Sequence, residues 1–184
     1  MKQNKKKYIT AFIMLFCVVA WGAAIFNFSS INSDDSNNAS NKIVVKLITK
    51  TLNFTNRIGA TNSHPSEEDV IKAAKVINPI MRKLAHFSEY FILAVLVLIF
   101  ANYVAKWKIK SRYKFIFVFL ICLVICAFYA LSDEFHQLFI SGRTGQIVDA
   151  CIDTSGAFCG LIFYTTYHLV YKAGERSGKN QNNN

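Results

Sequence analysis

The sequence predicts an all-α fold: an integral membrane bundle of about four transmembrane helices, with one or two short amphipathic helices on its outer side. Three observations predict it. Hydrophobic residues make up 53% of the 184 and fall in long blocks rather than short alternating runs; a helix of about 20 apolar residues crosses the hydrocarbon of a bilayer. Charged residues are only 17%, where a soluble domain carries about a quarter. The basic residues flank the apolar blocks instead of forming a stripe, which is the placement that orients membrane helices. The net charge of +10 therefore argues for a lipid bilayer as partner and against nucleic acid.

The first span is predicted over about residues 8–28, behind Lys2, Lys5, Lys6 and Lys7. Its apolar stretch is longer than the roughly 7–15 residues of a signal-peptide core and no A-x-A site follows, so a retained helix is expected. A polar insert over 29–78 comes next. Within it, Ser33-Asp34-Asp35-Ser36-Asn37-Asn38 reads as a loop. From Asn41 to about Ile58, the residues Ile43, Val44, Leu47, Ile48 and Leu52 recur at helical spacing. That predicts an amphipathic helix lying on the membrane surface. Ser66-Glu67-Glu68-Asp69 resembles a capping box opening a second short helix through Val76. Asn78-Pro79 then reads as an N-cap with proline at the first helical position of the helix that carries the second span, over about 84–104. The third and fourth spans are predicted over about 115–135 and 147–171, the third continuing as helix through Ile140 until Gly142 stops it. The asparagine-rich tail over 174–184 is expected to be disordered. The chain, 1–184, reads as a single membrane domain.

Four spans place both termini on one side. The N-terminal lysines, the group Lys106, Lys108, Lys110, Arg112 and Lys114, and the group Lys172, Arg176 and Lys179 all fall there. The positive-inside rule makes that side cytoplasmic. Cys17, Cys122, Cys126, Cys151 and Cys159 lie in apolar segments without CxxC spacing and read as small buried hydrophobes. His64 and His168 carry no functional signal, and no P-loop, nucleophile elbow or dinucleotide fingerprint is present.

Chemistry concentrates at the opposite, outward ends of spans two, three and four. Five of the eleven acidic residues gather there, Glu89, Asp133, Glu134, Asp149 and Asp153, with His86, His136, Arg82, Lys83 and Arg143. A charge within a bilayer costs at least about 2–3 kcal/mol, so such residues are paired, solvated or functional. Helical spacing groups them. Arg82, His86 and Glu89 share one face; Asp133, His136 and Gln137 share another. Asp149, Asp153, Gly156 and Gly160 share a third, and Gly156-x-x-x-Gly160 is a close-packing stripe that turns its two carboxylates inward. The expected pocket comprises His86, Glu89, Asp133, Glu134, His136, Gln137, Arg143, Asp149 and Asp153. Three readings fit it. One is a structural network in which Arg82 or Arg143 pairs with Asp149, Asp153 or Glu89. The second is a ligand pocket. The third is a metal-dependent active site, with His86, Glu89, Glu134 and His136 as nitrogen and oxygen ligands for a divalent ion such as zinc or manganese.

At these same positions the sequence resembles the VanZ-like family of bacterial membrane proteins. The resemblance rests on Lys83-x-x-His86-Phe87-x-Glu89-Tyr90-x-x-Leu93, on Asp133-Glu134-x-His136-Gln137-x-Phe139, on Gly142-Arg143-x-Gly145, and on Asp149-x-x-x-Asp153-x-x-Gly156. Phe28-Ser29-Ser30 after the first span fits as well, and the likeness runs from Tyr8 to Tyr171. It implies a helical protein of the bacterial plasma membrane and cell envelope, linked to resistance to glycopeptide antibiotics, teicoplanin in particular. It supplies no catalytic residues. The leading expectation is a non-enzymatic envelope protein whose outer pocket takes a lipid-linked or glycopeptide headgroup. The first alternative is an intramembrane enzyme acting on a lipid or peptidoglycan precursor, with His136 or Glu134 as general acid or base and Arg143 or a metal holding a phosphate. The second is a small oligomeric transporter or channel, which the one-sided acidic cluster and the lack of an inverted repeat count against.

Overall fold

The apolar blocks fold as four helices long enough to cross a bilayer, Lys5–Ser29, Glu67–Ala105, Phe115–Gln137 and Ile147–Glu175. They belong to five helices in a computed structural model, which describes residues 2–31, 33–60, 65–108 and 114–181. These are α1 (Lys2–Ser29), α2 (Ser33–Arg57), α3 (Glu67–Lys108), α4 (Lys114–Gln137) and α5 (Ile147–Gln181). No strand occurs among the described residues. Lys110, Arg112, His64 and the last three residues of the asparagine-rich tail lie outside them.

The longest helix, α3, is the hub and packs against each of the other four. Its closest partner is α5, and small residues explain why. Gly156 and Gly160 lie against the backbone of Phe87 and Phe91, where a Cβ would meet the carbonyl oxygens. Ala94, Ala130, Ala157, Cys122 and Cys126 are fully buried beside them. Between helices in lipid, where no hydrophobic effect drives association, such small residues let backbones approach and gain dispersion contacts. Cys122 and Cys126 thus act as small buried hydrophobes, whereas Cys17, Cys151 and Cys159, expected to be buried as well, are exposed because their helix faces point to the perimeter; all five are free. Large side chains point the other way: Phe12, Phe16, Phe117, Phe128 and Phe163 are exposed on the perimeter, the reverse of a soluble protein.

Three features of the polar insert differ from expectation. Residues 33–38, expected as a loop, form the start of α2. The apolar face of α2 packs on the N-terminal half of α3 rather than lying free: Val44, Leu47 and Leu52 line a gap with Ile77 and Met81, and Arg82 of α3 donates to Asn37 of α2 at 2.6 Å. The two form an antiparallel hairpin. Finally, Asn78-Pro79 does not start a helix; α3 runs unbroken from Glu67 to Lys108 with Pro79 inside. Proline removes one intrahelical hydrogen bond and costs about 3 kcal/mol in a helix interior. Burial of Ala74 about one turn before it opposes that cost. The expected cap at Ser66 is present: its Oγ accepts from the Asp69 amide at 3.2 Å and donates to the Asp69 carboxylate at 2.7 Å.

Two helix ends also move. α4 stops at Gln137, and residues 138–140 follow in tighter i→i−3 turns before Gly142 adopts a φ of 75°. α5 continues to Gln181, so residues 174–181, expected to be disordered, are helical. Lys172, Ala173, Glu175, Arg176 and Lys179 favour helix there, against the opposing preference of Gly174 and Gly178.

Candidate functional site

The ends of α1 and α4, the start of α5 and the middle of α3 meet at one end of the bundle. A cleft of about 210 Å³ opens there. Arg82, Lys83 and His86 of α3 form one wall, Glu134 and Gln137 of α4 another, and Arg143, Gln146 and Asp149 the third. Arg82, Lys83 and His86 reach it together because residues one turn apart on α3 stack on the same side. Arg143 arrives on the turn after α4, a turn that needs Gly142 at positive φ and Gly145 in contact with the Glu134 carbonyl.

Beneath the cleft sits a second layer. Asp133, Glu134 and Asp153 are all buried, and one carboxylate oxygen from each lies within 4.8 Å of the others. Ser29, at the last turn of α1, is fully buried and donates to Asp133. Gln137 donates to Asp133 and Glu134, each at 3.3 Å, and the Gln146 amide at the start of α5 donates to Glu134 at 2.8 Å. Glu134 belongs to both layers. Tyr90, fully buried, stands within electrostatic reach of Asp133 and Asp153.

His86 lies within electrostatic reach of these carboxylates, but no lysine or arginine among the described residues bonds to them. Lys83 pairs with Asp149 at 2.6 Å on the rim. Arg82 is committed to Asn37 at 2.6 Å, and Arg143 donates to the backbone carbonyls of Ile31 at 3.0 Å and Phe28 at 3.5 Å. The expected network, with Arg82 or Arg143 on Asp149, Asp153 or Glu89, is therefore not formed among the described residues. Both guanidiniums point instead toward chain segments that reach over the site from α1 and α2. Burial, and after it the nearby charge of Arg82, lowers the pKa of Arg143 from its ordinary value. The two guanidiniums therefore stand near enough to feel each other's charge.

The sequence-predicted residues divide accordingly. His86, Glu134, Gln137, Arg143 and Asp149 line the cleft. Asp133 and Asp153 lie below it with Glu134. Glu89 stands behind His86, its Oε2 3.4 Å from His86 Nδ1, an ion-pair separation without hydrogen-bond geometry. His136 is the exception. It turns away and packs on Phe26 of α1, ring centroids 3.9 Å apart, so the expected face of Asp133, His136 and Gln137 is split. The metal set His86, Glu89, Glu134 and His136 is not assembled either; Glu134 and His136 are two apart on one helix and face different sides. The carboxylate trio includes only Glu134 of those four.

Reasoning from sequence missed Ser29, Tyr90 and Gln146 as parts of the site. Ser29 carried a signal, a polar residue ending an apolar span next to other motif positions. Gln146 acts through its backbone, which no side-chain pattern reports. Trp21 was also missed: mid-span on α1, it donates to the Glu89 carbonyl at 2.9 Å and braces α1 against α3 just below the cleft.

A family model described as VanZ/LLP1 matches residues 12–170, which contain every residue of both layers. No curated protein and no solved structure matches the chain.

Proposed function

The chain belongs to the VanZ/LLP1 family, and from that premise we propose that it is a multi-pass protein of the bacterial plasma membrane whose cleft faces outward and binds the anionic headgroup of an envelope lipid. Both termini are cytoplasmic in this reading, which the clustering of lysine and arginine near residues 2–7 and 106–114 supports. Binding or sequestering such a headgroup alters how the envelope responds to glycopeptide antibiotics. Teicoplanin carries an acyl tail, and a protein at the membrane surface discriminates it from tail-less relatives.

The observation that carries the reading is the clustering of Arg82, Lys83, His86 and Arg143 on one cleft that opens at the end of a membrane bundle. A phosphate or carboxylate on a lipid anchored in the same bilayer arrives there without leaving the membrane, and paired guanidiniums are suited to its oxygens. The test is susceptibility to teicoplanin and vancomycin in a sensitive Gram-positive host. The host carries wild type, Glu134→Gln matched for membrane abundance, or an empty vector. Selective protection against teicoplanin by wild type, lost in Glu134→Gln, is the expected result. Identical behaviour of wild type and empty vector removes the resistance role.

The carboxylates under the cleft favour a second reading, an intramembrane enzyme that acts on the bound lipid precursor. Three buried acids within 4.8 Å supply groups able to move protons next to a held phosphate.

A further inference from the structure

We propose that Asp133, Glu134 and Asp153 form a binding site for one hard divalent cation of the calcium, magnesium or manganese class. Three separate observations converge on it. The first is donor geometry. The carboxylate oxygens lie within 4.8 Å of one another. Opposite ligands stand about 4.2 Å apart on an ion with bonds near 2.1 Å and about 4.8 Å apart on one with bonds near 2.4 Å, so the trio fits around a single ion. All three donors are carboxylate oxygens, with no thiolate among them, which selects hard ions over zinc or copper(I).

The second is uncompensated burial. Asp153 is 1% exposed and its Oδ1 has no hydrogen-bond partner; Tyr90, also fully buried, has an unpartnered hydroxyl too. Buried polar atoms are normally paired, and an unpaired carboxylate oxygen is the costliest kind to leave. The third is the disposition of the positive side chains. Lys83, Arg82 and Arg143 are engaged with Asp149, Asn37 and two backbone carbonyls. None of the described lysines or arginines bonds to the trio. A divalent cation supplies the missing charge and gives Asp153 Oδ1 a partner.

The surroundings are those of a built site. Ser29 and Gln137 each donate to one oxygen of Asp133, and Gln137 and the Gln146 amide to one each of Glu134; these donors orient both carboxylates and leave every oxygen a second lone pair for a metal. The entry path is the cleft, since Glu134 lines it. An ion held there lies next to the guanidiniums and strengthens the pull on an anionic headgroup, but its binding does not depend on the headgroup reading.

The experiment uses the full chain in detergent micelles, treated with chelator and titrated with Mn²⁺, with the free ion read by electron paramagnetic resonance. One saturable Mn²⁺ per chain is expected, displaced by excess Ca²⁺ or Mg²⁺. Asp153→Asn and Asp133→Asn should each weaken binding at least about tenfold, while Glu68→Gln, an exposed acid on the α2–α3 hairpin, binds as wild type. Mn²⁺ should also raise the melting temperature of wild type and leave that of Asp153→Asn unmoved. If the Asp variants do not fold, Glu134→Gln gives the same comparison at the accessible edge of the trio. Absence of saturable binding to wild type overturns the proposal, and so does equal binding by wild type and folded Asp153→Asn or Glu134→Gln. Failure of the susceptibility test with Mn²⁺ binding intact removes the resistance role and leaves the cation site standing.

Discussion

Replacing Gly156 by alanine adds one methyl group to α5 where it rests on α3. That methyl would meet the Phe87 carbonyl oxygen and lie 2.9 Å from its carbon and 3.0 Å from the Phe87 Cα. Carbon atoms prefer about 3.5–4.0 Å, so the helices must part by roughly 0.5–1 Å, and such a gap forfeits a quarter to a half of each affected dispersion contact. The obstacle is backbone, which no rotamer change relieves. Intrinsic propensity pulls the other way, since alanine in place of glycine stabilises a helix by about 1 kcal/mol. Overpacking costs about 1–3 kcal/mol, and a backbone clash belongs at the upper end. A net loss of about 2 kcal/mol corresponds to a fall in melting temperature of roughly 4–8 °C for a chain of this size. Gly174→Ala is the matched control, because a Cβ there meets nothing within 4 Å; it should be neutral or slightly stabilising. The assay is thermal unfolding in detergent. A Gly156→Ala protein that melts at or above wild type would show that α3 and α5 are not in contact at Phe87, and would refute the packing on which the placement of Asp153 depends.

Two further outcomes follow from the same geometry. Arg143→Lys keeps the charge but gives up the fork that reaches both Ile31 and Phe28, so amide exchange at residues 29–31 should rise while that of α3 residues 90–98 stays protected. If residues 29–31 exchange as in wild type, Arg143 does not tether α1. For orientation, a cysteine at Thr144 in a background with the native cysteines replaced should react with an impermeant thiol reagent on intact cells, and one at Lys172 only after permeabilisation. The opposite pattern would turn the cleft toward the cytoplasm.

Membrane class, span number and the glycine stripe were legible because each is a property of one segment: block length, flanking charge, and spacing along a single helix. Gly156 and Gly160 of that stripe lie against Phe87 and Phe91, with Asp153 buried on the same helix and Asp149 on the rim. What the sequence could not convey was competition between segments. Asn78-Pro79 has the local chemistry of a helix start, and packing against α2 overrides it. Residues 33–38 have the composition of a loop, and α2 extends through them. His136 shares a helical face with Asp133 on a wheel, yet Phe26 of another helix offers it an aromatic surface and draws it away. Partner choice was equally hidden: nothing along the chain shows that Arg82 and Arg143 end on Asn37 and on backbone carbonyls rather than on acids.

The unbroken course of α3 has a mechanical consequence. At about 1.5 Å per residue its 42 residues measure about 63 Å, roughly twice the hydrocarbon thickness of a bilayer. The half that pairs with α2 is thus a rigid lever fixed to the very helix that carries His86 and Tyr90. Its one weakened joint is Pro79, where a backbone bond is missing, and Pro79 lies on the lip of the cleft. Because Pro79 also lines the cleft, any bend of α3 at that position would alter the cleft's width directly.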